Sequence, residues 1–197
     1  LWNGKKDPYL YTVKAELLDE NGEATDVKSV QFGFRVAEFR ADGFYLNGEK
    51  TFLRGLNRHQ SYPYVGYAMP ESMQRYDAGI LKNELGLNAV RTSHYPPHPQ
   101  FMQMCDEMGF YVICENDMET HGFASRFPNV PYQYDVESNE WLCQNKEWKN
   151  ECVSRMARTL ETFKCATSVI MWSLSNESGF GANHAAMIDF IRSRDRT

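Results

Sequence analysis

The sequence predicts an α/β chain in which a short antiparallel segment precedes a parallel sheet, and three observations carry that prediction. Tyr11, Val13, Ala15 and Leu17 alternate with polar residues, and across the "DENG" turn at Asp19 to Gly22 so do Val30, Phe32, Phe34 and Val36. Beyond Arg40, short apolar segments alternate with amphipathic helical ones, the grammar of βα units. Each apolar segment then runs into polar or ionisable residues, where a parallel sheet places its ligand chemistry.

The alternation in residues 11–36 predicts two neighbouring strands with one buried face. Two strands cannot bury a core by themselves, so residues 1–39 are expected to be the closing strands of a β-sandwich. "NG" at Asn47 and Gly48 predicts a hairpin between Phe44–Leu46 and Thr51–Arg54. The first βα unit pairs a strand near Phe52 with a helix from Ser72 to Leu85, stopped by Gly86. A strand over Ala89–Thr92 leads to a helix over Gln100–Met108, closed by Gly109. The third strand, Phe110–Cys114, is followed by a long loop to Leu142 and a helix over Lys146–Phe163, with Trp148, Cys152, Met156, Leu160 and Phe163 on one stripe. The fourth strand is Val169–Leu174, and a helix over His184–Arg192 follows. Four βα units in ~150 residues make half of an eight-unit barrel, which takes about 250. Residues 40–197 are therefore expected to be the first half of a (β/α)8 TIM barrel.

A composition of 42% hydrophobic and 24% charged residues is that of a globular protein rather than a disordered one. The net charge of -5 and the scattered Lys and Arg leave no basic stripe for nucleic acid. The apolar runs are too short to span a bilayer. Five cysteines without C-x-x-C spacing argue against a disulfide framework or a zinc knuckle. They read as the reduced thiols of a cytoplasmic protein.

Four strand ends carry the candidate chemistry: "NRHQ" at 57–60, "RTSHYPPH" at 91–98, "ENDMETHG" at 115–122 and "NESGFG" at 176–181. Glu177, at the end of an apolar strand, is a candidate general acid, or else a loop or helix N-terminal carboxylate. Asn176 is placed to meet a sugar hydroxyl, or is a turn residue. Glu119 and His121, two apart, point the same way in an extended chain. With Glu177 they offer two carboxylates and one imidazole, a set suited to Mg²⁺ or Mn²⁺. His59 and His94 follow successive strands, as two histidines lining one pocket would. Arg91, a charge within a strand, needs a partner: a carboxylate supplied from the rest of the barrel, or Glu115 or Asp117 nearby.

Together "RGLNRHQSYP", "LNAVRTSHYPPHP", "CDEMGFYVICENDMETHG" and "SVIMWSLSNESGFGANH" resemble the barrel signatures of glycoside hydrolase family 2, and most closely its long-form β-galactosidases. "DPYLYTVKAELLDENGE" and "VQFGFRVAEF" are similar to the end of the immunoglobulin-like sandwich that precedes that barrel. The resemblance implies a retaining glycosidase that removes terminal β-D-galactose from β-galactosides such as lactose. It makes Glu177 the acid/base, and Glu119, His121 and Glu177 the ligands of a Mg²⁺ ion. It makes His59 and His94 substrate contacts, places Asn176 near the sugar 2-hydroxyl, and has Arg91 support the nucleophile. No residue here aligns with that nucleophile, so the chain is expected to be a fragment, silent and prone to self-association alone. The implied partners are the sugar, the remainder of its own barrel and sandwich, and further copies of a homo-oligomeric parent. A β-glucuronidase or β-mannosidase of the same family is the nearest rival, and a non-catalytic carbohydrate-binding module the rival from another class.

Overall fold

A computed structural model describes residues 1–124 and 141–195. The antiparallel pair is present as β1 (Tyr11–Leu18) and β2 (Ala24–Phe32), with Tyr11 opposite Phe32. The expected buried face is not: every residue of β1 is exposed, Val13 at 52% and Leu17 at 66%. A ribbon of two strands has no second layer to cover either face. Phe34 and Val36, predicted to continue the second strand, lie beyond its end and are exposed. At Gly33 the chain turns onto the parallel sheet. Its N–H donates to Thr167 Oγ1 at 2.8 Å, and a Cβ there would stand 2.6 Å from the Thr167 methyl. The Arg35 guanidinium follows, donating to the carbonyls of Thr167 and Val169.

A second antiparallel sheet holds β3 (Ala37–Arg40), β4 (Gly43–Leu46) and β5 (Glu49–Thr51) in that order. Its tight turn is the "NG" pair, with Asn47 at φ 50° and Gly48 at φ 84°, as a two-residue hairpin requires. The parallel sheet has the order β6 (Gly55–Arg58), β7 (Ala89–Thr92), β8 (Tyr111–Glu115), β9 (Val169–Ser173). Its first strand starts three residues later than expected, and Phe52 is 77% exposed. The Asn88 side chain accounts for the delay: it binds Phe52 O and Arg54 N, and the ladder opens only at Gly55 opposite Ala89.

The helices are α1 (Glu71–Gly79), continued by a π-helical turn over Ile80–Glu84, α2 (Pro99–Met108), a short α3 (His121–Ala124), α4 (Lys149–Phe163) and α5 (Ala182–Arg194). Trp148 precedes α4 and is 44% exposed, so it does not share the buried stripe of Cys152, Met156, Leu160 and Phe163. Much of the loop expected after the third strand, residues 125–140, lies outside the described residues.

Parallel strands alternate their side chains between two faces. Val90, Val112, Cys114 and Val169 pack with Phe101, Met104 and Cys105 of α2 and Phe163 of α4. Ala89 and Tyr111 meet Phe44 and Leu46 of β4 and the fully buried Trp2. The Trp2 indole N–H donates to Asp106 O at 2.8 Å, fastening the N-terminal segment to the end of α2. Gly109, in the left-handed region at φ 76°, closes that helix and lies so near Gly4 O that a Cβ would stand 2.2 Å from it. All five cysteines are free, four of them buried. Among the described residues no helix is long and apolar enough to cross a membrane.

Candidate active site

Because the four strands are parallel, their carboxyl ends share one edge, and Asn57, Arg91 and Ile113 stand in one rung. Arg91 extends along that face to Glu115, the last residue of β8, with Nη2 and Oε2 2.5 Å apart. Glu115 is 0% exposed and takes several donors at once. Arg91 Nε donates to Oε2 at 2.6 Å, Ser173 Oγ to the same oxygen at 2.5 Å, and His94 Nδ1 lies 2.7 Å from Oε1. The burial of this carboxyl is thus offset by hydrogen-bonding partners on both of its oxygens.

The network continues outward. Arg91 Nη2 also donates to Asn176 Oδ1 at 2.9 Å, and Asn176 Nδ2 donates to Glu119 Oε2. The backbone sets this approach, since Asn176 N donates to Met118 O at 2.9 Å and Glu119 pairs with Asn176 as an isolated parallel bridge. Glu119 Oε1 accepts the backbone N–H of His121 at 2.8 Å, and His121 Nδ1 is paired with Glu177 Oε2. Glu177 sits at φ 46°, a left-handed conformation uncommon for a residue with a side chain and concentrated at functional sites. Ser178 beside it is buried and bonded to Thr120 Oγ1 at 2.7 Å, which fixes the turn.

The sequence-derived candidates therefore fall at one end of one sheet. Asn176, Glu119, His121 and Glu177 are contiguous, and Arg91 joins them to His94. His59 meets the group through its ring, edge-on to His94 with centroids 5.0 Å apart. Among the described residues no three His, Cys, Asp or Glu side chains form a group that could hold a metal ion. Glu119, His121 and Glu177 are instead joined by hydrogen bonds. The residue that sequence reasoning underweighted is Glu115, with Ser173 beside it. Ending the third strand at Cys114 hid it; an acid closing the run "YVICE" was the available signal.

Burial raises the Tyr95 phenol, whose oxygen accepts from Gln60 N at 2.9 Å at the rim of the site. It also pushes the Cys114 thiol up to about 12, which makes that neighbour of Glu115 inert.

Residues 37–197 match the TIM barrel domain of the glycosyl hydrolases family 2, and residues 1–35 match a second domain of the same family. The chain is 40% identical over 195 residues to a beta-galactosidase of Vibrio cholerae, covering 99% of this chain and 18% of that protein. It is 43% identical over 180 residues to a beta-galactosidase of Thermoanaerobacterium thermosulfurigenes, covering 90% of this chain and 22% of that one. Its fold is that of a solved beta-D-glucuronidase from Dictyoglomus thermophilum, with a TM-score of 0.81 at 23% identity, over 98% of this chain and 32% of the other.

Proposed function

Since the chain belongs to the glycosyl hydrolases of family 2, we propose that its strand-end cluster is the acid/base half of a retaining β-glycosidase, with Glu177 as the acid/base. One observation carries the assignment: how the three carboxylates of the cluster are occupied. Glu115 is wholly buried with both oxygens engaged, and both oxygens of Glu119 accept hydrogen bonds. Glu177 is 42% exposed and engages His121 through Oε2 alone among the described residues. It is the carboxyl best able to reach a substrate.

In the proposed reaction the Glu177 carboxyl gives its proton to the glycosidic oxygen as the bond to the anomeric carbon breaks. A second carboxylate, ~5 Å away, attacks that carbon and forms a glycosyl ester. Glu177 then takes a proton from water, which releases the sugar. The second carboxylate is proposed to come from barrel strands outside residues 1–197. Asn176 keeps one amide hydrogen for a sugar hydroxyl, because its Oδ1 serves Arg91 and its other hydrogen serves Glu119. His59 and His94 are proposed to contact the sugar, and Arg91 to orient the attacking carboxylate from the face it shares with Glu115.

Glu119, His121 and Glu177 are proposed as the ligands of a Mg²⁺ or Mn²⁺ ion, which would polarise the Glu177 carboxyl. The donor types suit a hard cation, but binding would have to part the hydrogen-bonded His121–Glu177 pair. No step depends on it. The proposed substrate is a β-galactoside, supported by the names of the curated relatives at 40% and 43% identity. A homo-oligomeric, cytoplasmic parent is proposed with it; the five free thiols suit that compartment.

The test is hydrolysis of nitrophenyl β-galactoside, β-glucuronide and β-mannoside by the full-length protein containing this chain, with Mg²⁺ and with chelator. Galactoside cleavage that weakens on chelation is expected. Preference for another glycoside would overturn the substrate and keep the mechanism. Cleavage of none would overturn the role given to Glu177 and favour a non-catalytic sugar-binding module.

A further inference from the structure

We infer that Glu115 is a positioning residue that fixes the tautomer of His94, so that His94 presents a bare Nε2 to accept a hydrogen bond from a sugar hydroxyl. The inference rests on the glycosidase reading above. Glu115 itself is 0% exposed and cannot touch a substrate. It acts through what it holds.

Its two oxygens divide the work. Oε2 takes Arg91 Nε at 2.6 Å, Arg91 Nη2 at 2.5 Å and Ser173 Oγ at 2.5 Å. Oε1 is left for His94 Nδ1 at 2.7 Å. A carboxylate only accepts, so Nδ1 carries the hydrogen and the neutral ring keeps its lone pair on Nε2. The carboxylate cannot swing away, because Thr92 Oγ1 accepts the Glu115 backbone N–H at 2.9 Å and the Arg91 fork grips the head. Arg91 in turn reads Asn176 Oδ1 at 2.9 Å, so one buried acid orients both the imidazole and the amide of the rim. This is the logic of a buried carboxylate behind a catalytic histidine, here serving recognition.

Glu115→Gln tests it sharply. The new amide cannot aim its NH₂ at the three donors on the Oε2 side, so the NH₂ turns to His94. Nδ1 must then accept, and the hydrogen moves to Nε2. The ring is reversed without losing its place.

Two measurements on the full-length protein decide. Neutron diffraction from wild-type crystals above the usual histidine range is expected to show a hydrogen on His94 Nδ1 and none on Nε2; a hydrogen on Nε2 overturns the inference. In steady-state kinetics, at a temperature where the variant is folded, Glu115→Gln is expected to lower kcat/KM by about 10²-fold or more, as reversing a histidine tautomer does elsewhere; the midpoint falls too, because Arg91 loses its counter-charge. A folded variant within threefold of wild type also overturns it. If Glu115→Gln fails to fold, the neutron result stands alone. If the wild type cleaves no glycoside, the proposed function fails, while the hydrogen on His94 is still read.

Discussion

Arg91 on β7 and Glu115 on β8 form an ion pair, 2.5 Å from nitrogen to oxygen, on a sheet face where Glu115 has no exposure to water. The pair spans neighbouring strands and ties the middle of the sheet to its reactive edge. Its strength lies less in net stabilisation than in what its loss leaves behind, an uncompensated buried charge. Arg91→Met is therefore expected to cost about 3–5 kcal/mol of stability. Denaturant unfolding of the variant checks this; a loss below about 1 kcal/mol would mean that water reaches Glu115.

Removal of the proposed acid/base carboxyl should slow catalysis without unfolding the protein. Glu177→Gln in the full-length protein is expected to reduce kcat by about 10²–10⁴-fold on a poor leaving group. The loss should be smaller on a nitrophenyl glycoside, whose leaving oxygen needs little protonation. Equal losses on both substrates would sink the assignment.

Gly109 is expected to admit no side chain. Gly109→Ala forces a Cβ into a left-handed residue and to within 2.2 Å of Gly4 O, so the loss should exceed about 1 kcal/mol. The thermal midpoint reports it, and an unchanged midpoint would show that the N-terminal segment is not fastened against α2.

Acid should weaken the fold through His184. Burial holds its imidazole below the usual range, and among the described residues its buried Nδ1 has no hydrogen-bond partner. The unfolded chain takes up a proton that the folded chain resists, so this contribution is intact at neutral pH and is lost as pH falls below about 6.5. Unfolding midpoints from about pH 7.5 to about pH 5 should decline, and less steeply in His184→Gln. A parallel decline in both would clear His184.

Thiol chemistry separates the cysteines. Cys165 is exposed, whereas Cys105, Cys114, Cys143 and Cys152 are buried. Alkylation of native protein followed by peptide mapping should label Cys165 first. Early labelling of Cys114 would contradict its enclosure.

Much of this was legible in the sequence, for stated reasons. Gly109 and the "NG" pair mark backbone that must leave the right-handed region, and both did so where expected. Val90 and Val112 mark strands by their apolar runs. Val13 and Leu17 misled, because alternation reports which face would be buried if a second layer were there. The site was legible as a set of strand ends, yet its wiring was not. Glu115 reads as one acid among several until the fold sets it between Arg91, His94 and Ser173. Residue spacing along a chain carries no record of such pairings across strands.

Asn176 is gripped at both ends of its amide, the oxygen by Arg91 and the nitrogen by Glu119. Both grips require an amide, since an ionised acid in its place could not donate to Glu119. Spontaneous deamidation would exchange the nitrogen for an oxygen and set one acid against another, turning a contact into a repulsion. A stored preparation would then lose activity through a mass change of a single dalton at one side chain, with its fold and its titratable strand ends still in place. Ageing at Asn176 would thus strip the proposed site of its donor to Glu119.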